Sequence, residues 1–238
     1  MPCSSTDEKV VGILGGMGPE ATVDLMQRII RLTPAADDID HVRCIVDNNP
    51  KVPSRIKAII EGTGENPGPC MAEMGKRLEV WGADFLAIPC NTAHAYYDYV
   101  QEAVKIPVIH LIDLVVEHVR KAFPTARKVG MLASPAVHIT GLYSKRFDRY
   151  GIETVRPQAD QQEKLFHLIR QVKKGDTGPE IMDRYREICM NLKSLGAEPA
   201  IVACTELSVL DIAEPPTAIV DAAELLAQEI VDIVKKRK

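Results

Sequence analysis

Aromatic residues make up only 5% of the 238-residue chain, with a single tryptophan, Trp81. So thin a supply excludes the stacking platforms that hold single-stranded nucleic acids. Basic residues are not in excess either: 29 Lys and Arg stand against 33 Asp and Glu, a net charge of −4. That balance offers no electrostatic footprint for phosphate backbones or anionic lipid. No apolar run approaches the roughly 18–20 residues of a membrane span. The opening residues, Met1-Pro2-Cys3-Ser4-Ser5-Thr6-Asp7-Glu8-Lys9, lack the basic and apolar regions of a signal peptide. The six histidines form no HxH or HExxH pattern and pair with no cysteine at zinc spacing, so no metal is expected. The six cysteines, at 3, 44, 70, 90, 189 and 204, contain no CxxC. Reduced thiols in a cytoplasmic protein are expected, with neither nucleic acid nor membrane as partner.

What is present is a regular alternation of short apolar runs and helical periodicity. Val10–Leu14, Val42–Val46, Phe85–Ile88 and Pro107–His110 read as strands. Pro19–Leu32, Ala72–Trp81, Thr92–Val104 and Ile112–Phe123 read as helices, with Ala222–Lys238 as the last. Doubly apolar strands separated by helices predict parallel sheets covered on both faces. The second half restarts the pattern. Lys128-Val129-Gly130-Met131-Leu132 resembles Val10-Val11-Gly12-Ile13-Leu14, and Pro107-Val108-Ile109 has a partner in Ala218-Ile219-Val220. Matches in unbroken order at a nearly constant offset predict an internal duplication. The fold class expected is α/β, with two similar domains and a site in the cleft between them. One unit comprises 1–114 plus 216–238 and the other 115–215.

The strongest match between the halves carries chemistry. Gly82-Ala83-Asp84-Phe85-Leu86-Ala87-Ile88-Pro89-Cys90-Asn91-Thr92 is echoed by Gly196-Ala197-Glu198-Pro199-Ala200-Ile201-Val202-Ala203-Cys204-Thr205-Glu206. Each places a thiol just past a buried strand, where α/β proteins bind ligands, and a following helix start would lower the thiol pKa toward neutrality. A single buried cysteine is usually an inert apolar residue. Two at equivalent duplicated positions suit a base and an acid on opposite faces of one carbon. A redox pair is weakened by the missing CxxC. Asn91, Thr92 and Thr205 offer donors to an α-carboxylate. Gly12-Ile13-Leu14-Gly15-Gly16-Met17-Gly18-Pro19 matches no nucleotide signature and reads either as a tight turn or as a seat for a small carboxylate. Arg55 reads as a carboxylate clamp or a solvated helix-start residue. His94, four residues after Cys90, reads as a structural histidine or a tuner of the thiol. The loop Gly62–Pro69 reads as a connector or a lid. The terminal Lys235-Lys236-Arg237-Lys238 reads as a solvated end that complements the helix dipole.

Together, Gly15-Gly16-Met17-Gly18-Pro19-Glu20-Ala21-Thr22, Asn48-Asn49-Pro50, Pro89-Cys90-Asn91-Thr92-Ala93-His94 and Ala203-Cys204-Thr205-Glu206 resemble the aspartate/glutamate racemase family, nearest its aspartate racemase branch. The resemblance runs from about Val10 to Val234. It implies racemisation without pyridoxal phosphate or any other cofactor, usually by a homodimer, with Cys90 and Cys204 as the two acid/base residues. It places Arg55 on the substrate side chain and carries Met17, Asn49, Glu206 and a second-domain lysine, Lys164, as further substrate contacts. Glu163 replaces Lys164 if the register slips by one. Val137 stands where the branch has a substrate-holding threonine. Aspartate is the substrate expected. The alternatives are a broad-specificity or glutamate-preferring racemase, a related isomerase or decarboxylase, and a non-catalytic amino-acid-binding protein.

Overall fold

Strand β1 (Val11–Gly15) is buried at every residue, as a strand covered on both faces must be. It pairs in parallel with β2 (Cys44–Asn48) on one side and β3 (Phe85–Ala87) on the other. In the second half β4 (Lys128–Leu132) lies between β5 (Glu153–Val155) and β6 (Ala200–Val202), and β7 (Ile219–Asp221) extends that sheet beyond β6. The orders β2-β1-β3 and β5-β4-β6-β7 repeat one plan. The computed structural model describes residues 8–210 and 214–235.

The helices are α1 (Pro19–Leu32), α2 (Gly68–Val80), α3 (Tyr97–Gln101), α4 (Leu111–Ala122), α5 (Pro135–Thr140), α6 (Ser144–Phe147), α7 (Ala159–Val172), α8 (Pro179–Ser194) and α9 (Ala222–Lys235). Among the described residues none is long and apolar enough to cross a membrane. The two sheets are not independent. One apolar core joins Ile13 and Phe85 of the first sheet to Met131 and Ile201 of the second. Leu25 and Ile29 of α1, Val115 of α4, and Leu226 and Ile230 of α9 fill the space between them. Residues 216–238, assigned from sequence to the first unit, divide: β7 hydrogen-bonds to β6, while α9 packs on α1 and α4. Residues 236–238 of the basic terminus, like Cys3, lie outside the described residues. Lys235 pairs with Glu8 at 2.6 Å.

Three expectations need correcting. The strand at Pro107–His110 is reduced to one bridge, Val108 with Leu86. Pro107 has no N–H to extend it, although its carbonyl accepts from the Leu86 amide at 2.9 Å. The helix over Thr92–Val104 is broken into a 3₁₀ turn, Thr92–Tyr96, and the short α3. Its first side chains bond to other elements instead of capping a regular helix. The helix expected at Ala72 begins earlier, at Gly68, taking in the last two residues of the Gly62–Pro69 loop, and Asn66 of that loop donates to the Tyr99 hydroxyl at 2.9 Å.

Candidate active site

The β3 and β6 strands both end in the same cleft. There a cavity of about 260 Å³ is lined from the first half by Met17, Arg55, Cys90, Asn91 and Thr92, and from the second by Ser134, Cys204, Thr205 and Glu206. Drug-sized ligands occupy about 300–1,000 Å³, so this space suits a smaller molecule. Cys90 and Cys204 are each 8% exposed. Eight residues expected from the sequence are thus brought together: Met17, Arg55, Cys90, Asn91, Thr92, Cys204, Thr205 and Glu206.

Two expected contacts lie elsewhere. Asn49 turns its amide toward the sulfurs of Cys70 and Met74, at 3.8 and 3.7 Å, and does not line the cavity. Its backbone instead presses on the Gly16 turn. A Cβ on Gly16, whose φ is +88°, would sit 2.2 Å from the Asn49 carbonyl carbon. Gly16 is therefore there for the turn. Lys164 lies on the outer side of α7, paired with Glu187 of α8 at 2.7 Å, and neighbouring Glu163 is exposed. The lysine that does line the cavity is Lys173, at the end of α7, together with Phe166, Ile169 and Arg170 of the same helix. At about 100° per residue, nine positions turn Lys173 to the face opposite Lys164. Val137, in α5, is buried away from the cavity, and the hydroxyl that this segment brings to the cavity is that of Ser134 just before the helix, 3.5 Å from Thr92 Oγ1.

Each cysteine has a distinct setting. The Cys204 thiol donates to Glu206 at 2.9 Å, and the other oxygen of Glu206 pairs with Lys173 at 2.9 Å. Burial pushes the Cys204 thiol well up, and the neighbouring Glu206 charge adds to it. Burial also opposes ionisation of Glu206, but Lys173 and the thiol hydrogen bond outweigh it and hold the carboxylate below its ordinary pKa. Burial raises Cys90 too, against the pull of Arg55 and Lys173. The expected lowering by a helix start is not found for either thiol, because desolvation of the thiolate dominates. His94 does not touch the thiol. Its Nε2 accepts from the Leu111 amide at 3.1 Å, so Nδ1 carries the proton that is donated to the Cys90 carbonyl at 2.9 Å. Burial holds this ring neutral, with its pKa pushed down to about 4.

The polar groups of the cavity wall suit a ligand. Asn91 Oδ1 accepts from Tyr143 at 2.6 Å, whereas its buried Nδ2 has no partner. An unsatisfied buried donor costs about 1–3 kcal/mol, which a bound acceptor would recover. Arg55 uses Nη1 to hold the carbonyls of Val52 and Pro53, at 3.1 and 2.8 Å. Three cations, Arg55, Arg170 and Lys173, face a single carboxylate, Glu206, around the cavity. Among the described residues no cluster of His, Cys, Asp or Glu could hold a metal ion.

This constellation has relatives. The model of the Asp/Glu/Hydantoin racemase family matches residues 14–230. The chain belongs to that family. It is an amino-acid racemase by kind, an isomerase, as its cysteine motifs led us to expect. The broad specificity amino-acid racemase RacX of Bacillus subtilis is 29% identical, over 93% of this chain and 96% of its own. Aspartate racemase from Picrophilus torridus superposes with a TM-score of 0.80 at 30% identity, covering 94% of this chain and 93% of that one. An aspartate racemase homologue from Pyrococcus horikoshii gives 0.75 at 25% identity, covering 95% and 99%.

Proposed function

We propose that this racemase interconverts L- and D-aspartate by a two-base mechanism without a cofactor, Cys90 and Cys204 being the two proton carriers. The observation that carries the reading is the arrival of both thiols, from duplicated strands of opposite halves, in one small cavity. A thiolate on one side removes the Cα proton, and the electron pair left on carbon is delocalised into the substrate carboxylate. The opposite thiol then delivers its proton to the other face, so each turnover exchanges the protonation states of the two sulfurs. Asn91 Nδ2 and the Thr92 and Thr205 groups support the charged carboxylate as the carbanion forms.

The different surroundings of the thiols support an assignment of their resting states. Cys204 has Glu206 beside it and keeps its proton. Lys173 favours both thiolates, but Arg55 acts on Cys90 alone and Glu206 is hydrogen-bonded only to Cys204, so Cys90 ionises first. A raised thiol pKa also makes the thiolate a stronger base, which suits a weakly acidic Cα–H. Because ionisation of Cys90 lies above the ordinary thiol range of about 8.5, kcat/KM is expected to rise with pH from about 7 to 9. Glu206→Gln should bring the pH dependence of Cys204 alkylation to lower pH. A profile flat over that range, or Cys204 alkylated at lower pH than Cys90 in the wild type, would reverse the assignment.

The reaction itself is tested by proton NMR in D₂O on purified protein with EDTA and no pyridoxal phosphate. Loss of the aspartate Cα–H signal together with formation of the other enantiomer is expected. A visible aldimine band, or activity lost in EDTA and restored by zinc, would overturn the cofactor-free reading. A broad-specificity racemase is the second reading. It is favoured by the apolar wall of Ile56, Phe166 and Ile169, and by the neutralisation of Lys173 by Glu206.

A further inference from the structure

Outside the cavity, the most concentrated buried charge in the described structure is Arg28, on the inner face of α1, with 11% of its side chain exposed. Its Nε bonds Asp24 at 2.7 Å, and Nη1 reaches Asp221 at 3.0 Å and Glu224 at 2.7 Å. Nη2 instead donates to the backbone carbonyl of Ser208 at 2.7 Å. Ser208 belongs to the 3₁₀ turn Thr205–Val209 that starts directly after Cys204. Its hydroxyl donates to Asp221 at 2.7 Å, so the turn is held twice by the same charged group of residues. A 3₁₀ turn is short and weakly hydrogen-bonded, and needs such external anchors to keep its register.

The placement of α1 gives this anchor a second meaning. Its first residue follows the Met17 turn, which forms part of the cavity wall in the first half. Arg28 therefore links the helix that starts at one wall to the turn that presents Cys204, Thr205 and Glu206 from the other.

We propose that Arg28 is a positioning residue for Cys204, fixing the 3₁₀ turn after the cysteine against α1 and so setting where the thiol stands relative to the opposite wall of the cleft. Arg28 touches neither the cavity nor a reacting atom. Its effect on turnover rests on the two-cysteine reading above, but its effect on Cys204 itself does not.

The test compares Arg28→Lys with Ile230→Val, a core change on α9 that costs about 0.5–1.5 kcal/mol of stability without touching Arg28 or its partners. A lysine keeps the positive charge, yet a single ammonium lacks the fork that spans three carboxylates and a carbonyl. Arg28→Lys is expected to lower kcat about 10- to 100-fold with KM little changed, since a misplaced reacting group costs rate and not binding. It should also displace the pH profile of iodoacetamide labelling at Cys204, read by mass spectrometry, and leave that at Cys90 unaltered. Ile230→Val should lower Tm and leave both labelling profiles and kcat as in the wild type. A Cys204 profile unchanged in Arg28→Lys, or displaced equally in Ile230→Val, would overturn the proposal. Should Arg28→Lys not fold, Asp24→Ala removes the carboxylate that orients the guanidinium through Nε, loosening its hold on the Ser208 carbonyl while the charge of Arg28 stays in place. The same Cys204-only displacement is then required, and an unaltered profile overturns the proposal. Labelling needs no turnover, so a wild-type protein inactive on every amino acid would refute the racemase mechanism while leaving this result readable.

Discussion

Replacing either Cys90 or Cys204 by serine is expected to lower kcat/KM for racemisation by about 10³-fold or more, within the range that a positioned general acid or base contributes. A serine hydroxyl is far too weak an acid to stand in for a thiol, and its alkoxide is not available near neutral pH. The two variants should fail in a way that a general loss of structure would not. Each keeps one functional sulfur, so slow exchange of the Cα proton with solvent should persist from a single face without inversion. Deuterium incorporation into unreacted L- and D-aspartate measures this directly. Cys44, Cys70 and Cys189 line no part of the cavity, and their serine variants should turn over at wild-type rates. Near-normal racemisation by Cys204→Ser would exclude two bases and leave a one-cysteine reaction.

The second large effect concerns the substrate side chain. Arg55→Ala is expected to reduce kcat/KM for aspartate about 10²-fold, the cost of truncating one partner of a buried charge-assisted pair being about 2–5 kcal/mol. The same change should alter kcat/KM for asparagine much less, because an amide offers no full charge to the guanidinium. The Nη1 bonds to Val52 and Pro53 leave Nε and Nη2 to bind a carboxylate with a forked edge. Arg55→Lys keeps charge but not fork and should fall between wild type and alanine. Measuring aspartate, glutamate, asparagine and lysine side by side separates the readings. Equal kcat/KM for all four, or unchanged aspartate kinetics in Arg55→Ala, would favour the broad-specificity enzyme and leave racemisation intact.

The sequence is most legible where a residue's role is local. Strand β1, the glycine turn after it, and the two cysteine segments all follow from short-range pattern, and the duplicated order exposes the relation between the sheets. Motif-borne contacts are less secure. Asn49 shares its motif with Arg55, but only Arg55 reaches the cavity. The turn between them sends one side chain inward and the other toward Cys70 and Met74. The α7 wall is missed by motif reading, although a signal for it exists. Phe166, Ile169, Arg170 and Lys173 are spaced three, one and three residues apart, which is one face of a helix. Placing the lysine by motif register instead of by that face gives Lys164, on the opposite side. The raised thiol pKa values are hidden for another reason. Desolvation depends on what the other half of the chain places over a cysteine, and no local pattern reports it.

The packing of α9 across α1 and α4 bears on how the chain is made. Residues 19–32 have their apolar side covered in part by residues 222–235, and Arg28 meets Glu224 across 196 positions of sequence. Contacts of such long range raise the contact order and slow folding, because loop-closure entropy is lost before the contacts can form. During synthesis, α1 leaves the ribosome long before its covering helix exists, and its inner face must wait for residues 222–235. Despite their repeated plan, the two sheets share one apolar core. That core is completed by α9, which reaches it only after both sheets have been made.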